Sequence, residues 1–159
     1  MNYRKIDNGR ELSILVSLRP PHTTAIFSGV KKIEWRTRIM PFGRHFMYET
    51  KNDGGCGMVV GDYTCNVVYA FDCISDIPQI FIDAGNVSRS FLESYSNGKK
   101  LYGHLITLPV EYKVPLHISA FNNFTAQYLA NPGRLERPPQ SWCYVGLPLY
   151  ESLGSEVCI

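Results

Sequence analysis

The sequence contains no apolar run long enough to span a bilayer. Near its start it has no hydrophobic stretch of the kind that directs secretion. A cytoplasmic protein with no membrane partner is expected. Also missing is any C-x-x-C pair. The five cysteines stand apart at Cys56, Cys65, Cys73, Cys143 and Cys158, an odd number. That argues against a zinc ribbon or a disulfide framework and for reduced, mostly buried thiols. The histidines His22, His45, His104 and His117 show neither H-x-x-x-H nor carboxylate spacing, so no metal site and no cofactor are expected. Internal repeats, low-complexity tracts and linkers are absent. Net charge is only +2, so the whole-molecule field is weak.

What is present describes an ordinary globular protein. At 159 residues the chain is long enough for one domain with one core. Apolar residues make up 45% and charged residues 19%, which excludes a disordered chain. Ten tyrosines and eight phenylalanines favour strands. Charge is unevenly spread: residues 1–51 carry +6, residues 52–98 carry −5 and the remainder +1. A basic face on a nearly neutral protein is compatible with nucleic acid, and equally with solvated outer strand faces.

The stretch 12–38, LSILVSLRPPHTTAIFSGVKKIEWRTR, organises the chain. Leu12–Leu18 is too continuously apolar for a one-sided strand and reads as a central one. A helix over about Pro21–Ser28 follows, started by Pro20-Pro21 and stopped by Gly29. Lys32, Glu34, Arg36 and Arg38 then alternate with Ile33, Trp35, Thr37 and Ile39, which puts charges on one face of a strand and Trp35 toward the core. The tight return brings those charges near the helix N-terminus, which attracts anions.

Further along, Arg44–Lys51 reads as a strand, with His45, Met47 and Glu49 opposite Phe46, Tyr48 and Thr50. Asn52–Gly57 is a plain turn. Met58–Phe71 is a long strand or a bent pair, with Gly61 marking a bulge or a close approach. Ser88 caps a helix to Ser96, in which Phe91, Leu92 and Tyr95 share a face, and Asn97-Gly98 ends it. Leu101–Val110 reads as a core strand, with Pro109 suggesting an edge. A second helix is expected over about Ala120–Ala130, and a last strand over Pro138–Val145. Strands mixed with short helices, without regular βαβ units, indicate an α+β fold and suit a small mixed barrel.

Gly29-Val30-Lys31-Lys32-Ile33-Glu34-Trp35-Arg36 matches the G-x-K-x-x-E-x-R motif of ASCH domains, which belong to the PUA-like superfamily. The lead-in SLRPPHTTAIFSG is similar to the family's first strand and helix. HFMYETK, GMVVGDYTC, FLESYSNGKKLYGHLI and PPQSWCYV resemble later segments of its small phage and bacterial members. The resemblance spans about residues 12–145. It implies a PUA-like mixed β pseudo-barrel with short flanking helices, a domain over 12–145, an N-terminal arm over 1–11 and a tail over 146–159. It also implies a cleft bordered by the first helix and the motif strand.

Periodicity selects Lys32 as the lysine aligned with Glu34 and Arg36, whereas the motif selects Lys31, in the turn before the strand. Glu34 beside Arg36 reads either as a structural ion pair or as a group orienting a cation toward a ligand. Nucleic-acid-binding candidates are Lys31, Lys32, Arg36, Arg38, Tyr48, Tyr102 and Trp142, with Gln140 and Ser141 able to read a base edge. Core packing is the competing reading for the aromatics. Ser28-Gly29-Val30-Lys31 formally reads S-x-x-K, but that dyad needs a helical turn which Gly29 ends.

A binding module for RNA or another nucleic acid ranks first, since PUA-like domains commonly bind RNA. An enzyme ranks second, with Lys31 and Glu34 as catalytic candidates. Some ASCH proteins deacetylate N4-acetylcytidine with the motif lysine, a threonine three residues on and a glutamate elsewhere; others have been linked to ribonuclease activity. Here Glu34 stands where that threonine would be, and Glu93 or Glu111 is a candidate second carboxylate. A protein-interaction module ranks third.

Overall fold

In the computed structural model, which describes residues 13–122 and 133–146, the early apolar run forms strand β1 (Ile14–Leu18). Ile14, Val16 and Leu18 face one core cluster, and Leu15 faces another on the opposite side of the sheet. Burial on both faces is why the run does not alternate. Pro20 then opens helix α1 (Pro20–Phe27), where a missing N–H costs nothing. The helix stops at Ser28, and Gly29 takes a left-handed backbone (φ 77°), which glycine adopts without penalty. The chain reverses there. The Lys31 N–H donates to the Ala25 carbonyl at 2.9 Å, and strand β2 (Ile33–Arg36) begins.

Strands β3 (Gly43–Glu49) and β4 (Val59–Cys65) form an antiparallel pair. Strand β5 (Val68–Phe71) follows, then helices α2 (Gln79–Ala84) and α3 (Arg89–Ser96). The Phe91 N–H donates to Ser88 Oγ at 3.0 Å, the expected cap, and Asn97 (φ 46°) ends α3. Strands β6 (Leu101–Leu105), β7 (Thr107–Leu116) and β8 (Trp142–Tyr144) complete the described elements.

The α+β expectation holds: eight described strands and three short helices. The strands lie in two sheets, of order β7-β4-β3-β1-β8 and β2-β6-β5. β1 is an interior strand, parallel to β3 and antiparallel to β8 at the edge. One core cluster joins β1 and α1 to Met40, Met47, Tyr63 and Ile106; a second lies on the other face of the larger sheet; a third packs α2 and α3 on the smaller sheet through Ile33, Trp35, Ile82 and Leu92.

One expectation changes, and one open alternative is decided. Leu101–Val110 is not one strand. It breaks at Ile106, whose N–H donates to the Lys32 carbonyl at 2.9 Å while the chain crosses from one sheet to the other. The apolar pattern does not register the crossing because Leu108 and Val110 of β7 continue it although no residue of that strand is buried. Of the two alternatives for Met58–Phe71, the bent pair holds: β4 and β5 are divided between the sheets. Gly61 is both a bulge and a close approach: the register shifts beside it, and a Cβ there would meet the Val110 carbonyl at 2.2 Å and the Phe27 ring at 2.6 Å. Pro109 sits, as expected, on an edge strand of the described sheet. The expected arm, most of the expected helix over 120–130, most of the tail and Cys158 lie outside the described residues. Among the described residues no helix is long and apolar enough to cross a membrane.

Candidate functional site

Lys31 and Lys32 are separated by where β2 begins. Lys31 lies before Ile33, outside the strand's two-residue period, and its backbone is tied to α1. Its side chain turns inward and is 2% exposed. Lys32 points to solvent, and its backbone bridges the Ala84 carbonyl and the Ile106 N–H.

The inward ammonium of Lys31 lies 3.3 Å from Glu34 Oε2 and donates to the Gly85 carbonyl at 2.8 Å. Arg36 takes the other carboxylate oxygen, with Nε 2.9 Å from Oε1. Burial by itself pushes the Glu34 carboxyl up, but Lys31 and then Arg36 outweigh it and hold it at about 2. Glu34 is therefore ionised throughout the neutral range. Arg36 also donates to Ser141 Oγ at 3.0 Å and to the Ser17 carbonyl at 3.2 Å. Three of its five N–H groups are thus engaged, one within β2 and two that join β2 to β1 and to the segment leading into β8.

Lys31, Glu34 and Arg36 line a cavity of about 210 Å³ together with Arg19 and His22 of the α1 start and Phe91 and Tyr95 of α3. Its lining holds three cationic side chains, Arg19, Lys31 and Arg36, and one carboxylate, Glu34; Lys31 and Arg36 pair with Glu34, while Arg19 lies 3.8 Å from Asp53, outside the lining. Burial, then Lys31, lowers the His22 pKa from its ordinary value, so the imidazole is neutral near neutral pH. Trp35 packs in the core as its strand period requires, 4% exposed, and its indole Nε1 has no hydrogen-bond partner among the described residues. Gly85 is held against it: a Cβ there would lie 2.3 Å from that nitrogen.

The remaining candidates lie elsewhere. Lys32 and Arg38 are outside the cavity; Lys32 is exposed. Tyr48 is buried in the second core cluster, on the far face of the larger sheet, because β3 buries both of its faces. Tyr102, the cross-strand partner of Arg36, and Trp142, edge-on to Tyr144, both pack half-buried against the first cluster. Ser141 is exposed and held by Arg36, while Gln140 is exposed. Neither Glu93 nor Glu111 lines the cavity: Glu93 is exposed on α3, and Glu111 lines a separate cavity beside Glu49 and Cys56. No group of three metal-ligating side chains occurs among the described residues.

Arg19, His22, Phe91 and Tyr95 do not stand out in the sequence as cavity residues, nor does Gly85 as the partner of Lys31. The available signal for the aromatics is their four-residue spacing on a helix with few other apolar residues, which reads as core packing until its surroundings are known. Arg19 and His22 flank Pro20-Pro21, so the anion-attracting helix start is the relevant cue.

No known family model matches the sequence, and no curated protein matches it. Solved structures do. The ASCH protein of Zymomonas mobilis is 21% identical, with a TM-score of 0.65 over 89% of this chain and 91% of that one. A Ser→Ala variant of it is 22% identical (TM-score 0.66, 91% and 94% covered), and a Tyr→Phe variant is 20% identical (TM-score 0.66, 91% and 96% covered). Identity at this level speaks to the fold alone. With α1, the glycine reversal and the motif strand arranged around one cleft, the chain has the α+β fold of the ASCH proteins.

Proposed function

We propose that the protein is a nucleic-acid-binding module, for RNA in the first instance, which takes an unpaired nucleotide in the cleft beside β2. The observation that carries this reading is Lys31. Its ammonium is buried, lines the cavity and, among the described residues, has two partners for three N–H donors. A third donor is left for a ligand oxygen, in a low-dielectric setting where a hydrogen bond is strong. Arg19, exposed in the cavity lining and 3.8 Å from Asp53, would exchange that partner for a phosphate, and the exposed Lys32 and Arg38 would meet the following backbone.

The alternative is hydrolysis of a nucleic-acid substrate by Lys31 and Glu34. It is supported by their 3.3 Å separation. A carboxyl held at about 2, however, is a weak proton acceptor near neutrality, so general-base chemistry at Glu34 is disfavoured.

The test is fluorescence anisotropy with short single-stranded RNA and DNA at low and moderate salt, with wild type and Arg19→Gln. Binding that weakens with salt is the expected result. The salt slope of Arg19→Gln should be shallower by roughly 0.7 for each phosphate that Arg19 neutralises. Absence of binding at low salt overturns the proposal. Turnover of an N4-acetylcytidine or RNA substrate would move the hydrolytic alternative ahead of it.

A further inference from the structure

Phe91 and Tyr95 sit one turn apart on α3 and leave 47% and 38% of their surface exposed. Their rings are parallel within 6°, with centroids 5.9 Å apart. Leu92, fully buried between the same helix and the smaller sheet, anchors α3. The exposed pair is therefore surplus to packing. Among the described residues the large exposed apolar side chains also include Val30, Ile80, Leu108 and Val114, but of this set only Phe91 and Tyr95 line the cavity.

The pair is also held in place. Leu92 fixes the middle of α3 in the core, and Ser88 caps the helix that carries both rings. Little conformational entropy remains to be lost when something stacks there. Opposite, the spare N–H of Lys31 is offset in charge by Glu34, which suits a neutral carbonyl oxygen better than a phosphate. A cavity of about 210 Å³ is smaller than the roughly 300–1,000 Å³ pockets that enclose whole ligands, so it takes one ring and leaves the rest outside.

We infer that Phe91 and Tyr95 form the stacking face for a single unpaired, oxo-bearing nucleobase, with the base edge toward Lys31 and its backbone passing Arg19. This rests on the nucleic-acid reading above and adds what selects the ligand. Two parallel exposed rings beside three cationic side chains match a planar base attached to an anionic chain.

The experiment measures binding of three short probes of equal length: oligouridine, oligoadenosine and an abasic strand. The proteins are wild type, Phe91→Leu, Tyr95→Leu and Phe91→Trp. Phe91 is half-exposed, so these changes leave the fold intact, and near-ultraviolet circular dichroism checks it. Oligouridine is expected to bind wild type more tightly than the abasic strand by roughly tenfold or more. Phe91→Leu and Tyr95→Leu should lose most of that preference, Phe91→Trp should keep it, and abasic affinity should be the same in all four. Unchanged preference in both leucine variants overturns the stacking face while leaving the nucleic-acid reading intact. Oligoadenosine binding as tightly as oligouridine overturns the carbonyl contact at Lys31. If wild type binds no probe, the nucleic-acid reading falls and this inference with it.

Discussion

The ammonium of Lys31 and the carboxylate of Glu34, three residues on, face each other 3.3 Å apart with almost no exposure of either. They meet because Lys31 precedes β2 while Glu34 lies within it, so a strand's alternation does not separate them. Arg36 closes the other side of the carboxylate. A buried ion cluster of this kind costs desolvation that its attraction only partly offsets, and removing one member leaves the others uncompensated.

Lys31→Met is therefore expected to destabilise the protein by about 3–5 kcal/mol, since Glu34 keeps only Arg36. The double variant Lys31→Met/Glu34→Gln removes the orphaned charge and should recover a large part of that loss. Urea unfolding of both variants checks this. Equal destabilisation in the two would show that the ion pair is not the source of the cost.

Acid should unfold the protein through two interior histidines. The Met40 N–H donates to His104 Nε2 at 2.8 Å, so Nδ1 carries the proton and donates to the Glu34 carbonyl at 3.1 Å. His45 donates from Nε2 to the Pro41 carbonyl at 2.7 Å and accepts at Nδ1 from the Tyr63 hydroxyl at 3.1 Å. Burial holds the native pKa values down, to about 4 for His104 and about 3 for His45. Unfolded histidine titrates near 6.5, so below that pH the unfolded state binds protons that the native state refuses. Stability is fully present above about 6.5 and falls by about 1.4 kcal/mol per pH unit for each histidine as pH drops toward those native values. Glu34 adds to the loss below about 4.5, because its native pKa of about 2 is also depressed. Thermal unfolding between pH 7.5 and 4, with His104→Gln as the comparison, reads the slope. A pH-independent midpoint would contradict the assignment.

Gly85→Ala should be costly although Gly85 has an ordinary helical backbone (φ −80°). The added methyl would meet the Trp35 indole at 2.3 Å and displace the carbonyl that holds Lys31. A loss of about 1–3 kcal/mol is expected from overpacking, together with a shift in Trp35 fluorescence. Gly98→Ala has open space around it but a backbone φ of +76°, so it isolates conformational strain without a clash.

Ser88→Ala removes the side-chain cap of α3 and should cost about 1 kcal/mol. Because the same helix carries Phe91 and Tyr95, faster amide hydrogen exchange in its first turn should accompany the destabilisation. Exchange unchanged there would mean that Leu92 alone fixes the helix.

Local chemistry was readable along the chain. Pro20 and Gly29 bracket α1, Ser88 and Asn97 bracket α3, Pro109 lies on an edge strand, and β1 is an interior strand because it is apolar on both sides. These features depend on a residue and its near neighbours, through backbone restriction, capping and burial. The motif spacing also singled out Lys31, Glu34 and Arg36 as neighbours, while strand alternation by itself pointed to Lys32.

The composition of the cavity depended on which surfaces the two sheets brought together. Tyr48 alternates correctly along β3, yet both faces of that strand are covered, and it lies in the second core cluster, away from the cleft. Phe91 and Tyr95 have the spacing of a packed helical stripe, but Leu92 alone fills the core, leaving the rings at the cavity mouth. The chain crosses between sheets at Ile106 inside an apolar stretch with no local break. Amino-acid order by itself determined the turns, caps and the interior strand, since these are settled within a few residues. Only the tertiary structure decided which lysine is buried, which aromatics line the cavity and where Arg36 places its hydrogen bonds, because each depends on groups from distant parts of the chain competing for the same space and the same charge.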